Sequence, residues 1–94
     1  MSTTSEILRG LGYSEEQALR EFALLHASQK HAELTLEDTY FQKKYGETFS
    51  DFAAVVQSSA EEEFEGEDDY LAWKFAVEGA QYWKTQLETL RRAP

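Results

Sequence analysis

Apolar residues recur along this chain at three- and four-residue intervals, the spacing that places side chains on one face of an α-helix. No run of alternating apolar and polar residues, which would indicate a strand, interrupts the pattern, and the single proline is the last residue, Pro94. The sequence therefore predicts one all-α domain over residues 1–94. We expect a long antiparallel helical hairpin with one or two short accessory helices.

The first long helix is predicted between two end signals. Ser14-Glu15-Glu16-Gln17 is typical of an N-terminal capping box, and Gly46 is a suitable C-terminal stop. A stripe with coiled-coil spacing follows, in which Gln29 is the polar member. Its apolar members are Ala18, Phe22, Leu25, Ala32, Leu36 and Tyr40. Thr35-Leu36-Glu37-Asp38 is a second capping pattern, but the stripe continues through it in phase, so we expect one unbroken helix.

Two shorter helices are predicted beside the long one. Residues 5–9 form an opening helix that Gly10 and Gly12 end. Thr48-Phe49-Ser50-Asp51 marks the start of a third helix. The apolar face of this third helix consists of Phe52, Val55 and Val56.

A last helix is predicted from about Asp68 to about Arg91, with acids at its start and arginines at its end, as the helix dipole favours. Its regular apolar seam is expected to lie along the long helix. The seam consists of Trp73, Ala76, Ala80, Trp83, Leu87 and Leu90. A second face with Leu71, Phe75 and Tyr82 lies off the seam, and the pattern leaves open whether it packs under the short helices or stays exposed as an interface.

Net charge adds a local feature to this helical pattern. The chain carries −9, from 9 basic and 18 acidic residues, and seven of the acids lie between Glu61 and Asp69 in the stretch EEEFEGEDDY. A compact acidic strip of this kind repels phosphate backbones, so we expect no direct nucleic-acid binding. No apolar run is long enough to span a membrane.

Dedicated catalytic and metal-binding patterns are absent from the sequence. The acidic stretch resembles a calcium-binding loop as far as Asp69, but the twelfth position is Ala72, which has no side-chain oxygen. His26 and His31 are five residues apart and cannot chelate one ion from one helix face. With no cysteine and no phosphate-binding loop, we expect neither a cofactor nor an enzymatic activity.

The acidic strip adjoins an unusually apolar helix start, and this pairing favours protein binding. Carboxylates steer a basic partner into encounter over long distances, whereas aromatic side chains supply short-range affinity. The predicted partner-binding residues are Glu61, Glu62, Glu63, Phe64, Glu65, Asp68, Asp69, Tyr70 and Trp73.

From Lys44 onward the chain resembles small acidic proteins of antitoxin type that are encoded beside toxin genes in prokaryotes. The resemblance rests on Lys44-Tyr45-Gly46, on Phe49 and Phe52, and on EEEFEGEDDYLAWKFAVEGAQYW over residues 61–83. It departs from that pattern at Ala72, where another acid is expected. The resemblance implies that the chain neutralises a basic toxin acting on RNA.

Two other functions fit the charge and the helices. A nucleic-acid mimic that inhibits a nuclease complex would align Glu33, Glu37, Asp38 and Glu47 with the acidic strip. A structural homodimer would combine two hairpins in a four-helix bundle, with the acidic stretch as a solvated loop. We expect a homodimer under the antitoxin hypothesis as well, and the absence of cysteine and of a cationic leader fits a cytoplasmic protein.

Overall fold

A computed structural model describes residues 3–58 and 66–92 of the chain. Within these ranges four helices follow one another, and no strand occurs. They are α1 (Thr3–Gly10), α2 (Glu15–Tyr45), α3 (Phe49–Ser58) and α4 (Glu67–Arg92). The prediction of an all-α fold built on a long helical hairpin is thus confirmed. In this described part no helix is both long and apolar enough to cross a membrane.

The ends of α2 follow from local sequence. The Ser14 hydroxyl accepts a hydrogen bond from the Gln17 backbone N–H at 3.1 Å, and the Gln17 side chain accepts one from the Ser14 N–H at 3.0 Å. At the other end Gly46 adopts the left-handed region at φ 68°, and its N–H donates to Gln42. The helix does not break at Thr35, whose hydroxyl donates to the His31 carbonyl instead of capping a new helix.

Helix α4 runs antiparallel to α2 and packs on it through the predicted seam. Trp73, Ala76 and Leu87 are buried, and the other seam residues are half-buried. Close approach of the two helices depends on Gly79, where an added Cβ would lie 2.7 Å from Cδ1 of Leu34. Hydrogen bonds at both ends of the hairpin fix this antiparallel direction. Arg20 donates to the Leu90 carbonyl at one end, and Lys44 donates to Asp69 at the other.

The predicted apolar stripe of α2 does not face α4. The contact with α4 uses buried Ala27, Leu34 and Phe41, which lie at seven-residue intervals on nearly the opposite side of α2. Large members of the stripe remain exposed, including Leu36 at 70% and Phe22 at 63%. The contacting face is weakly apolar in sequence, but its alanines leave room for bulky side chains of α4.

An aromatic cluster closes the end of the hairpin that carries α3. Trp73 lies at its centre with no exposed surface, and its ring centroid is 5.0 Å from that of Phe52 and 5.6 Å from that of Phe41. The inner face of α3 is formed by Phe49, Phe52 and Val56. Val55, which was predicted to share this face, is 55% exposed. The cluster therefore docks α3 onto the hairpin with a narrower face than the sequence predicts.

Candidate protein-binding surface

The first turn of α4 carries those acidic residues of the 61–69 stretch that the structure describes. Glu67, Asp68 and Asp69 occupy this turn, where the positive end of the helix dipole stabilises negative charge. Glu67 and Asp68 are exposed. The predicted contacts Glu61, Glu62, Glu63, Phe64 and Glu65 lie outside the described residues.

Asp69 is engaged within the chain. Its Oδ2 accepts hydrogen bonds from the Lys44 Nζ at 2.6 Å and from the Tyr45 hydroxyl at 2.5 Å, which join the end of α2 to the start of α4. The hydrogen bond from Lys44, followed by that from Tyr45, holds the pKa of Asp69 below its usual value. The same contact with Asp69 raises the pKa of Lys44 and of Tyr45. The Asp69 carboxylate therefore stabilises the contact between the end of α2 and the start of α4. Because Lys44 neutralises part of its charge, it attracts a partner less strongly than the exposed acids do.

Two of the three predicted aromatic contacts, Tyr70 and Trp73, belong to the core of the single chain. Tyr70 is half-buried, with its ring stacked on that of Phe49 at 5.7 Å between centroids. Trp73 is fully buried, and its Nε1 donates to Asp38 Oδ1 at 2.8 Å. A partner cannot touch Trp73 while this end of the hairpin is folded. Trp73 is thus a structural residue of the core and not the partner contact that the sequence predicted.

The pattern behind the family resemblance has a physical explanation in these contacts. Lys44 and Tyr45 meet Asp69, while Phe49 and Phe52 meet Tyr70 and Trp73. Residues from two distant stretches of the sequence thus form one packed unit. These residues hold α2, α3 and α4 together at this end of the hairpin.

Exposed apolar residues lie beside this unit on the outer side of α4. Leu71, Phe75 and Tyr82 expose 57%, 68% and 51% of their surface. Their spacing of four and seven residues places them on one face, one turn beyond the exposed Asp68. The sequence analysis left the position of this face open, and the structure exposes it in the single chain. We call Asp68, Leu71, Phe75 and Tyr82 the α4 outer face.

A shallow depression lies between α2 and the first turns of α4. Leu36, Glu37, Tyr40, Phe41 and Ala72 line it. The exposed carboxylate of Glu37 borders an otherwise apolar surface. No sequence pattern indicated this depression, because its residues come from two helices that are far apart along the chain.

The acids that a nucleic-acid mimic would align do not all point to solvent. Asp38 is half-buried in the hairpin and accepts hydrogen bonds from Trp73 and, at 3.1 Å, from Gln42. Glu47 is also half-buried, whereas Glu33 and Glu37 are exposed on α2. The role of Asp38 in the fold explains its presence without a phosphate-mimicking function.

The described residues contain no group of three or more histidines, cysteines, aspartates or glutamates positioned to hold a metal ion. His26 is exposed, and its ring lies 4.3 Å from that of Phe22. His31 is half-buried beside the hairpin contact. The two histidines thus lie in different environments, His26 on the surface against Phe22 and His31 at a half-buried position.

Comparison of the chain with protein-family models, with curated proteins and with solved structures gave no match.

Proposed function

We propose that this chain is an acidic protein-binding module that captures and neutralises a basic protein, an antitoxin-type role. The observation that carries the proposal is the exposure of Leu71 and Phe75 directly after the acidic first turn of α4. Large apolar side chains that are more than half exposed, next to concentrated charge, are typical of a surface that a partner covers.

The two parts of this surface have different physical tasks. The acids of 61–69 steer a cationic partner, an effect that raises the association rate and weakens as salt screens the charge. Leu71 and Phe75 are buried on contact and slow dissociation. Because Trp73 is in the core, the short-range contacts are assigned to the α4 outer face.

The nature of the partner follows from complementarity. A basic protein, such as a toxin that acts on RNA, needs a cationic surface for its own substrate, and an acidic module that covers this surface blocks substrate access. Inhibition of this kind needs no catalytic group, metal or cofactor in the inhibitor.

The proposal predicts that a gene adjacent to that of this chain encodes a basic protein, and the test uses that protein. Calorimetry with the purified pair is expected to show binding that the double variant Leu71→Ala/Phe75→Ala weakens roughly 100-fold, because two exposed anchors are removed without disturbing the core. Co-expression is expected to restore growth with wild-type protein and not with this variant.

A matched control variant also removes two exposed apolar side chains, but at a site away from the α4 outer face. Ile7→Ala/Leu11→Ala removes two similarly exposed apolar side chains in α1 and in the turn after it, and binding is expected to stay within about threefold of wild type. A third variant, with Glu61, Glu62, Glu63 and Glu65 as Gln, is expected to lower the association rate and its salt dependence. Equal loss in both double variants, or no binding by the wild type, would refute the proposal.

A further inference from the structure

The stripe that α2 turns away from α4 is a second coiled-coil seam. Its spacing is four, three, four, three, four from Ala18 to Leu36, with Thr39 and Tyr40 at its end. Such spacing is typical of a helix face that packs along another helix over several turns. In this chain α4 packs on the other side, through Ala27, Leu34 and Phe41.

The exposed area of this seam is large enough for an interface. Four large side chains of the seam expose between 55% and 70% of their surface, namely Phe22, Leu25, Leu36 and Tyr40. Together they present on the order of 500 Å² per copy, most of the roughly 800 Å² that a specific interface takes from each partner.

Charges along α2 select a second copy in antiparallel orientation. The helix begins with Glu15 and Glu16 and ends with Lys43 and Lys44. An antiparallel pair sets the acidic start of one copy beside the basic end of the other and opposes the two helix dipoles favourably. It also separates the two acidic strips, which a parallel pair would place side by side.

We propose that α2 of one copy pairs with α2 of a second copy along this seam, antiparallel and about a two-fold axis near residues 30 and 31. Full overlap of α2 (Glu15–Tyr45) with itself requires an axis at this point. In this register Leu25 of each copy packs on Leu36 of the other.

Gln29 gives this register its specificity. The residue lies next to the two-fold axis, where Gln29 of each copy meets Ala32 and Gln29 of the other. A side-chain amide both donates and accepts, so two symmetry-related glutamines satisfy each other, and any shifted register would bury each one against apolar groups. The pairing does not depend on the proposed function.

Oligomeric state is tested by sedimentation equilibrium of the full chain over a dilution series. Wild type is expected to be dimeric, and Leu36→Glu is expected to raise the dimer dissociation constant about 100-fold, because the two-fold axis introduces the charge twice. Phe75→Glu on the α4 outer face is the matched control and is expected to leave dimerisation unchanged. Both substitutions are at surfaces about 70% exposed, so far-UV circular dichroism is expected to stay native. A monomeric wild type, or equal effects of the two variants, overturns the pairing.

Orientation is tested by cross-linking, for which the absence of native cysteine is convenient. Gln29→Cys, next to the axis, is expected to form a covalent dimer with a short bis-maleimide. Thr39→Cys, at the far end of the seam, is expected not to, because its two copies lie on the order of 25 Å apart along an antiparallel pair. Cross-linking of Thr39→Cys with itself would indicate a parallel pair and overturn the proposal. Loss of partner binding with dimerisation intact would instead count against the proposed function alone.

Discussion

Replacement of Trp73 by alanine tests whether this indole is a core residue. Trp73 has no exposed surface and contacts a cluster of four aromatic rings within 6 Å between centroids. Truncation of a buried tryptophan costs about 3–5 kcal/mol, which includes about 1 kcal/mol for the lost hydrogen bond to Asp38, and alanine returns about 0.5 kcal/mol of helix propensity. We therefore expect a loss of about 3–4 kcal/mol, a large part of the ~5–14 kcal/mol available to a chain of this size.

The assay is urea unfolding followed by far-UV circular dichroism at one protein concentration, because a dimer has concentration-dependent stability. Phe75→Ala is the matched control two residues away on the same helix. At 68% exposure its truncation is expected to change stability by no more than about 0.5 kcal/mol. A loss below about 1 kcal/mol for Trp73→Ala, or equal losses for the two variants, would refute the assignment of Trp73 to the core.

Three further substitutions test individual contacts, each measured by urea unfolding. Ser14→Ala removes the capping box of α2 and is expected to cost about 1 kcal/mol. Gly79→Val is expected to cost about 1–3 kcal/mol, since even its Cβ would stand 2.7 Å from a buried leucine of α2, whereas Glu78→Val on the exposed side is expected to cost less than 1 kcal/mol. The hydrogen bond from Lys44 lowers the folded-state pKa of Asp69. The ionised Asp69 carboxylate therefore stabilises the fold above about pH 4, and this stabilisation is lost as the pH falls through the folded-state pKa. Because Asp69→Asn removes the titrating group, we expect its stability to fall less steeply with pH below about pH 4. If the free energy of unfolding of Asp69→Asn falls below about pH 4 as steeply as that of the wild type, this carboxylate does not control stability in that range.

The end signals of the helices were sufficient to predict the secondary structure. The capping box at Ser14, the stop at Gly46 and the acidic start of α4 act within one helical turn, so neighbouring residues decide them. The seam of α4 was also predictable, because its large apolar residues have one regular spacing.

The partner of each helix face was not predictable in the same way. Helix α2 has one strongly apolar stripe and one weaker face, and the structure packs α4 on the weaker face. That face provides Ala27 beside bulky α4 residues, Phe41 as a stacking partner and Asp38 as a hydrogen-bond acceptor for Trp73. These advantages appear only when both helices are present, whereas periodicity measures the apolar content of one helix alone.

The same division applies to the candidate binding surface. The sequence by itself determined an all-α chain with its acids gathered around one helix start, since both properties depend on composition and local spacing. Only the tertiary structure decided which aromatic residues are available to a partner, because Trp73 and Phe75 differ by two positions along α4 and therefore point to different sides of the hairpin. Burial belongs to the packed arrangement of α2, α3 and α4, and it moved the expected short-range contacts from Trp73 to Leu71 and Phe75.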